Sequence, residues 1–514
     1  MLKGAKWITT PVDYGTVCPV FRRTFNLEKP VLNATLTVTA IGCYIAYLNG
    51  KRVGDFVLAP GWTAYQKRLQ VQEYDVAELL SRKNTLDIEV GEGWHLGRLS
   101  LSSKKNYSAK QPAVICELRI TYQDGTVEMI VSDESFMAAK TPIIFSSIYD
   151  GEIFDARQTE YLWEAVKIMD YPKDTLIPQE GEKVVEVERL KPVSVTKTIA
   201  GYYILDFGQN LTGYVEFTVS APAGHVIELV HGEVLKSNND VYTENLRTAK
   251  QRIQYIANGR KQTYKPRFTF QGFRYVRVEN WPGELDPDDF TAIVVHSKLK
   301  RTGYFSCSNE KVNKLYENII WGQKGNFLDV PTDCPQRDER LGWTGDAQIF
   351  IKTASYNFNV HRFFAKWLND LAAEQFEDGG VPAFIPNPFG RRDNASSSGW
   401  GDAIVICPWQ IYLTYGDVKL LERQYNGMCK WIEFIKSQGD NPYLWNTGHH
   451  YGDWLGLDAP YGSYQGATAT DLIATAYYAY STSIVVKAGK VLGYDTAEHE
   501  ELYRKIREAF QNTY

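Results

Sequence analysis

Between Asp329 and Asp346 the chain carries five carboxylates (Asp329, Asp333, Asp338, Glu339 and Asp346) and two arginines within 18 residues. Pro331, Pro335 and Gly342 interrupt the segment, so it reads as a loop between helices, with Thr344 as a cap and Asp346 in the next first turn. These are the parts for acid–base chemistry on a neutral substrate. Cleaving a glycosidic bond needs one carboxylic acid to protonate the leaving oxygen and a second carboxylate to activate water or attack carbon. Clustered carboxylates raise one another's pKa, which keeps an acid protonated near neutral pH. Most charge clusters are merely solvated; Cys334, Pro335 and Trp343, interleaved here, have no place in a purely solvated loop.

Two further segments repeat the theme. Ser398-Gly399-Trp400-Gly401-Asp402 precedes a helical pattern, and Tyr451-Gly452-Asp453-Trp454 lies in an Asn/Gly/His-rich loop. Each sets an Asp beside a Trp across glycines that permit tight turns. An Asp can accept hydrogen bonds from sugar hydroxyls while a Trp stacks on the ring. The plainer alternatives are a helix cap for Asp402 and core packing for Trp454. His449-His450 lacks the partner spacing of a metal site and reads as surface histidines. Gly91-Glu92-Gly93-Trp94-His95 fits a sugar-lining loop or a tight turn equally well. No phosphate-binding glycine pattern and no Gly-x-Ser-x-Gly elbow occurs.

The elements that must position these groups change character along the chain. Cys116–Tyr122 alternates apolar and polar residues, Asp124-Gly125 follows, then Thr126–Val131; this is a hairpin. Asn49-Gly50 marks another. Residues 202–208 and 273–278 read as strands of a second block that ends in a strand over 291–296. A Pro/Lys/Glu-rich stretch from Tyr171 to Glu188 places a boundary near 185. After 305 the apolar period becomes helical: Val312, Leu315, Tyr316, Ile319 and Ile320; Phe363, Phe364, Trp367, Leu368 and Leu371; Ile473 to Ile484; Leu502 to Phe510. Helices are also predicted near 346–357, 402–415 and 418–437, with Gly416 closing one and Asp417 capping the next. About seven helices in a row, without strands long enough for a sheet, suggest helical hairpins arranged in a ring.

Composition sets the limits. Of 514 residues, 44% are hydrophobic and 23% charged, an ordinary globular balance. A net charge of −5 offers no concentrated basic face for nucleic acid. Tyr (33), Phe (23) and Trp (13) are plentiful, which suits sugar rings and β-sandwich cores alike. Seven scattered cysteines without a Cys-x-x-Cys pair argue against a disulfide framework or zinc knuckle. The first residues lack an apolar core of signal-peptide length, and no apolar run approaches the ~20 residues of a membrane span, so a cytoplasmic setting is expected.

Pro331-Thr332-Asp333-Cys334-Pro335-Gln336-Arg337 with Glu339-Arg340-x-Gly342-Trp343-Thr344-Gly345-Asp346 resembles the hallmark of bacterial α-L-rhamnosidases. Supporting similarities are Tyr47–Gly54 and Leu58–Thr63, Asp206–Asn210 and Thr269–Tyr275, Gly399–Ala403 with Pro408-Trp409, and Gly452-Asp453-Trp454. The resemblance implies two N-terminal β-sandwich domains (1–185 and 186–303) followed by an incomplete (α/α)6 barrel (304–514). It implies hydrolysis of terminal α-L-rhamnose with inversion, with Glu339 as general acid. Asp333 and Asp346 would bind rhamnose hydroxyls and Trp343 would lie against the ring. Arg337, Trp400, Asp402, Asp453 and Trp454 would line the pocket. The implied partner is a rhamnose-containing glycoside or oligosaccharide, with no cofactor, metal, nucleic acid or membrane. A non-catalytic rhamnoside-binding protein and a six-hairpin glycosidase for another sugar are the competing readings. In the family the base is a Glu after a Gly-Ala-Thr-type turn and a Trp. Here Gln465-Gly466-Ala467-Thr468 runs on as Ala469-Thr470-Asp471-Leu472 without the Trp-Glu pair, and Asp471 is rejected as the base. The expectation is that the base lies beyond residue 514 and that residues 1–514 alone are inactive or nearly so.

Overall fold

The computed structural model describes residues 1–99, 109–390 and 396–514. They form two compact units. The first comprises Met1–Lys298, Lys314–Asp329 and Cys334–Arg340; the second comprises Leu299–Asn313, Val330–Asp333 and Leu341–Tyr514.

The first unit is built on a seven-stranded, a six-stranded and a ten-stranded sheet. The predicted hairpins are present. Ala113–Tyr122 pairs antiparallel with Val127–Val131, and Cys43–Leu48 turns onto Lys51–Arg52 through Asn49 and Gly50, both at positive φ. Two positive-φ residues in a two-residue turn match the right-handed twist of the flanking strands. The chain does not pass from one sandwich to the next at a single point near 185. Ile143–Ser147 and Gly151–Asp155 already belong to the ten-stranded sheet, where Gly151–Asp155 runs parallel to Arg252–Ile256. Residues 164–165, 167–169 and 176–178 then return to the first two sheets. Local hairpin signals carry no information on such long-range pairing. Phe217, Tyr255, Phe273 and Phe290 are buried in the core of the ten-stranded sheet.

Among the described residues after 305 there are seven helices: Glu310–Asn326, Thr344–Asn357, His361–Glu374, Ala403–Tyr415, Val418–Lys436, Thr470–Leu492 and Ala497–Thr513. Gly416 closes Ala403–Tyr415 in the left-handed conformation, and the Asp417 side chain accepts from Leu420 N, as predicted. Helices pair in sequence order: Ala403–Tyr415 with Val418–Lys436, and Thr470–Leu492 with Ala497–Thr513. Glu310–Asn326 departs from expectation. Its residues from Lys314 group with the sheet unit, where Thr212 donates to Gly325 O at 2.9 Å. Of its apolar stripe only Ile320 is buried, while Val312 and Leu315 are exposed. No helix among the described residues is long and apolar enough to cross a membrane.

Candidate active site

The carboxylate-rich loop is divided between the units: Cys334–Arg340 groups with the sheets, and Asp333 and the residues from Leu341 with the helices. Arg340 anchors the sheet-side segment. It is 1% exposed, at φ 49°, and its guanidinium donates to Ile148 O and Phe270 O (both 2.8 Å), Gln336 O (2.7 Å) and Arg337 O (3.1 Å). A rigid fork of five N–H donors suits this job, in which one side chain satisfies several carbonyls of an irregular backbone. Gly272 allows the close approach: a Cβ there would lie 2.9 Å from Pro335 Cγ.

Glu339 sits on this platform. Tyr149 OH donates to its carbonyl at 2.6 Å. Its Oε2 accepts from Arg337 Nε at 2.8 Å and from Arg247 Nη1 at 3.0 Å, and its side chain is 16% exposed. Neighbouring Asp338 is fully buried, with Oδ2 accepting from the Thr248 hydroxyl, and so serves structure. Adjacent carboxylates thus have opposite fates, one turned inward and one held by two guanidiniums with part of its surface in solvent.

In the helical unit Asp333 closes the base of the loop. Its N donates to Leu341 O at 3.0 Å and its Oδ1 accepts from Leu341 N at 2.8 Å. Thr344 is not the expected cap. The cap position is Trp343, and the Thr344 hydroxyl donates to Ala383 O at 2.8 Å because a neighbouring strand-like segment supplies an acceptor. Asp346 lies exposed in the first helical turn, where the helix dipole favours a carboxylate. Gly345 is required by Trp400: a Cβ at 345 would stand 2.6 Å from the indole.

Aromatic rings then gather on Tyr451. Its centroid is 4.5 Å from Trp400, 5.6 Å from Trp454 and 6.0 Å from Trp343, the last two edge-on. Desolvation pushes the Tyr451 phenol up to about 12, so it remains a neutral donor. Sequence reasoning quoted Tyr451 within its motif without assigning it a role, although it joins all three tryptophans. Trp454 is 44% exposed rather than core, and Asp453 is exposed beside it.

Two assignments are corrected. Asp402 does not line a pocket. It is fully buried, its Oδ1 accepts from Trp431 Nε1 (2.9 Å) and Ser481 Oγ (2.6 Å), and its Oδ2 accepts from Gly399 N (2.8 Å). Burial raises its pKa, against the hydrogen bonds that lower it. Asp402 therefore fixes the turn that carries Trp400. His450 is not a surface residue. Its Nδ1 accepts from Ser398 N (3.2 Å) and its Nε2 meets Thr447 O (3.0 Å), which makes it the Nε2–H tautomer. Burial lowers its pKa to about 4, while His449 is exposed. Of the 91–95 segment, Trp94 is buried on Trp62 and His95 is buried flat against Tyr65, which is the tight-turn alternative. Arg247 and Tyr149, which hold Glu339, carried no signal in the sequence; both lie far from it along the chain.

Comparison with known proteins identifies the family. The α-L-rhamnosidase N-terminal domain matches residues 29–196, the bacterial α-L-rhamnosidase concanavalin-like domain 196–296, and the bacterial α-L-rhamnosidase six-hairpin glycosidase domain 300–514. An α-L-rhamnosidase of Streptomyces avermitilis is 38% identical, covering 99% of this chain and 50% of that protein. One from Formosa agariphila is 36% identical, covering 99% and 58%. Among solved structures, native α-L-rhamnosidase from Aspergillus terreus is similar with a TM-score of 0.95 at 38% identity, covering 100% of this chain and 62% of that one. The Streptomyces avermitilis α-L-rhamnosidase complexed with L-rhamnose gives 0.92 at 38% identity, covering 97% and 49%. The chain spans about half the length of the curated relatives it matches. With three consecutive rhamnosidase domains and this likeness in both sequence and backbone, the chain belongs to the bacterial α-L-rhamnosidase family.

Proposed function

We propose that the whole protein hydrolyses terminal α-L-rhamnosides with inversion, and that Glu339 is the general acid. The observation that carries this reading is the mounting of Glu339. Its backbone is pinned by Tyr149, and its carboxylate is fixed by Arg337 and Arg247 yet remains partly exposed. A general acid must be held within hydrogen-bond reach of the leaving oxygen, so orientation matters as much as acidity. Arg337 positions Glu339 in this account. The similarity to a relative solved with L-rhamnose supplies the sugar. Asp346 and Asp333 bind its hydroxyls, and Trp343, Trp400, Tyr451 and Trp454 offer ring edges and faces to its apolar side, with Asp453 at the rim. Asp471 is left out of the catalytic set, because its Oδ1 accepts from Leu472 N at the start of its own helix.

In an inverting displacement a water attacks opposite the leaving group, and the two carboxyl groups stand ~6.5–9.5 Å apart to admit it. Incubating the full-length protein with an aryl α-L-rhamnoside and following the first product by NMR tests the proposal. The β-anomer of rhamnose is expected first. The α-anomer would show retention. Saturable binding without release would favour the non-catalytic reading, and release from another aryl glycoside alone would move the sugar specificity.

A further inference from the structure

Within the sheet unit a cavity of about 450 Å³ is lined by none of the candidate active-site residues. That volume lies in the range of small-ligand sites. Its charged lining is all of one sign: Arg52, Lys265 and Arg267 face it, and no acidic residue does. Two of these cations are offset from outside the lining. Lys265 Nζ pairs with Glu186 at 2.5 Å, and Arg267 Nη1 with Glu89 at 2.5 Å. Arg52 is different. It donates Nη2 to Phe56 O at 2.9 Å and has no carboxylate within 4.0 Å among the described residues. Arg52 also feels the charge of Glu186 at longer range, but of the three cations it is the one that forms no direct ion pair.

Five aromatic residues, Tyr47, Phe154, Tyr214, Tyr255 and Tyr264, make up half of the remaining wall. Phe154 and Tyr264 lie 4.9 Å apart with tilted rings, and the Arg267 guanidinium sits 5.7 Å over Phe154. The Tyr264 hydroxyl donates inward to Glu152 Oε1 at 2.6 Å, so its polar tip is not turned to the cavity. A guanidinium matches a planar or tetrahedral oxyanion, and flat rings match the apolar face of a six-membered ring.

We propose that this cavity is a binding site for an acidic sugar, a pyranose carrying one carboxylate or sulfate, with the oxyanion on Arg52 and the ring against the aromatic wall. The proposal goes beyond the hydrolytic reading and does not depend on it. Titration calorimetry of the full chain with D-galacturonate, galactose 6-sulfate, neutral galactose and inorganic sulfate tests it. Saturable binding of either acidic sugar, at least tenfold tighter than galactose and than sulfate alone, is expected; which acidic sugar binds identifies the oxyanion. Arg52→Ala should weaken that binding tenfold or more, and Thr263→Trp, at the exposed rim, should block it while leaving the unfolding midpoint in place. Equal binding of galactose and the acidic sugars, inorganic sulfate binding as tightly as they do, absence of saturable binding, or full affinity in both variants would each overturn the proposal.

Discussion

Trp343-Thr344-Gly345-Asp346 and Trp400-Gly401-Asp402 read alike as sequence: an aromatic, a glycine and a carboxylate at a helix start. In the structure they do opposite things. Asp346 stands in solvent on the first turn of its helix, whereas Asp402 is sealed inside and bonded to Trp431, Ser481 and Gly399. The glycines differ in the same way. Gly345 makes room for the Trp400 ring, while Gly401 makes room for Trp431, whose ring would lie 2.3 Å from an added Cβ. One segment presents its carboxylate, and the other uses its carboxylate to hold the first segment's aromatic neighbour in place. Residue type and spacing nominate a carboxylate; burial and the count of satisfied acceptors decide whether it can meet a ligand.

The comparison can be broken by exchanging these roles. Asp402→Ala should have the largest effect on folding, because it leaves the Trp431 N–H, the Ser481 hydroxyl and the Gly399 N–H without their acceptor. A loss of about 3 kcal/mol in chemical unfolding is expected, and any rise in KM for an aryl rhamnoside should come only together with that loss, through the released Trp400 turn. A tenfold rise in KM with an unchanged unfolding midpoint would instead put Asp402 on the substrate. Asp346→Asn should behave in the reverse way. If Asp346 binds the sugar as proposed, the change removes charge-assisted hydrogen bonds of about 1.5–3 kcal/mol each, and kcat/KM should fall by about 10–100-fold while stability holds. Lost stability with kcat/KM intact would make Asp346 structural.

The smallest effect concerns His450, which supports the same turn through Ser398 N. Its folded pKa, about 4, lies below the ordinary 6.5, so in that window the unfolded chain binds a proton that the folded one excludes. Its contribution is therefore fully present above pH 6.5 and is lost as pH falls towards 4. The stability advantage of wild type over His450→Gln should shrink by about 1–2 kcal/mol across that interval. A difference independent of pH would remove His450 as the titrating group.

Much of the scaffold was legible before any coordinates. Period-2 alternation around Asp124-Gly125 and the 3.6-residue stripes after 305 report local geometry, and Gly416 and Asp417 each need only their own helix end to act. What stayed hidden depends on contacts across the chain. The passage of Ile143–Asp155 into the ten-stranded sheet rests on Arg252–Ile256. The inward turn of Asp402 rests on Trp431 and Ser481, and the hold on Glu339 rests on Tyr149 and Arg247. Tyr451 was in view as a residue, but its place among three tryptophans is a property of the folded loops.

The assignment of Glu339 is tested most directly by Glu339→Gln in the full-length protein, measured on rhamnosides with a graded series of leaving groups. If Glu339 protonates the leaving oxygen, kcat should fall by about 10²–10⁴-fold on a poorly activated glycoside. The loss should be far smaller on a strongly activated aryl rhamnoside, which departs without a proton. A uniform loss across the series, or near-wild-type turnover of the poorly activated substrate, would contradict the role given to Glu339.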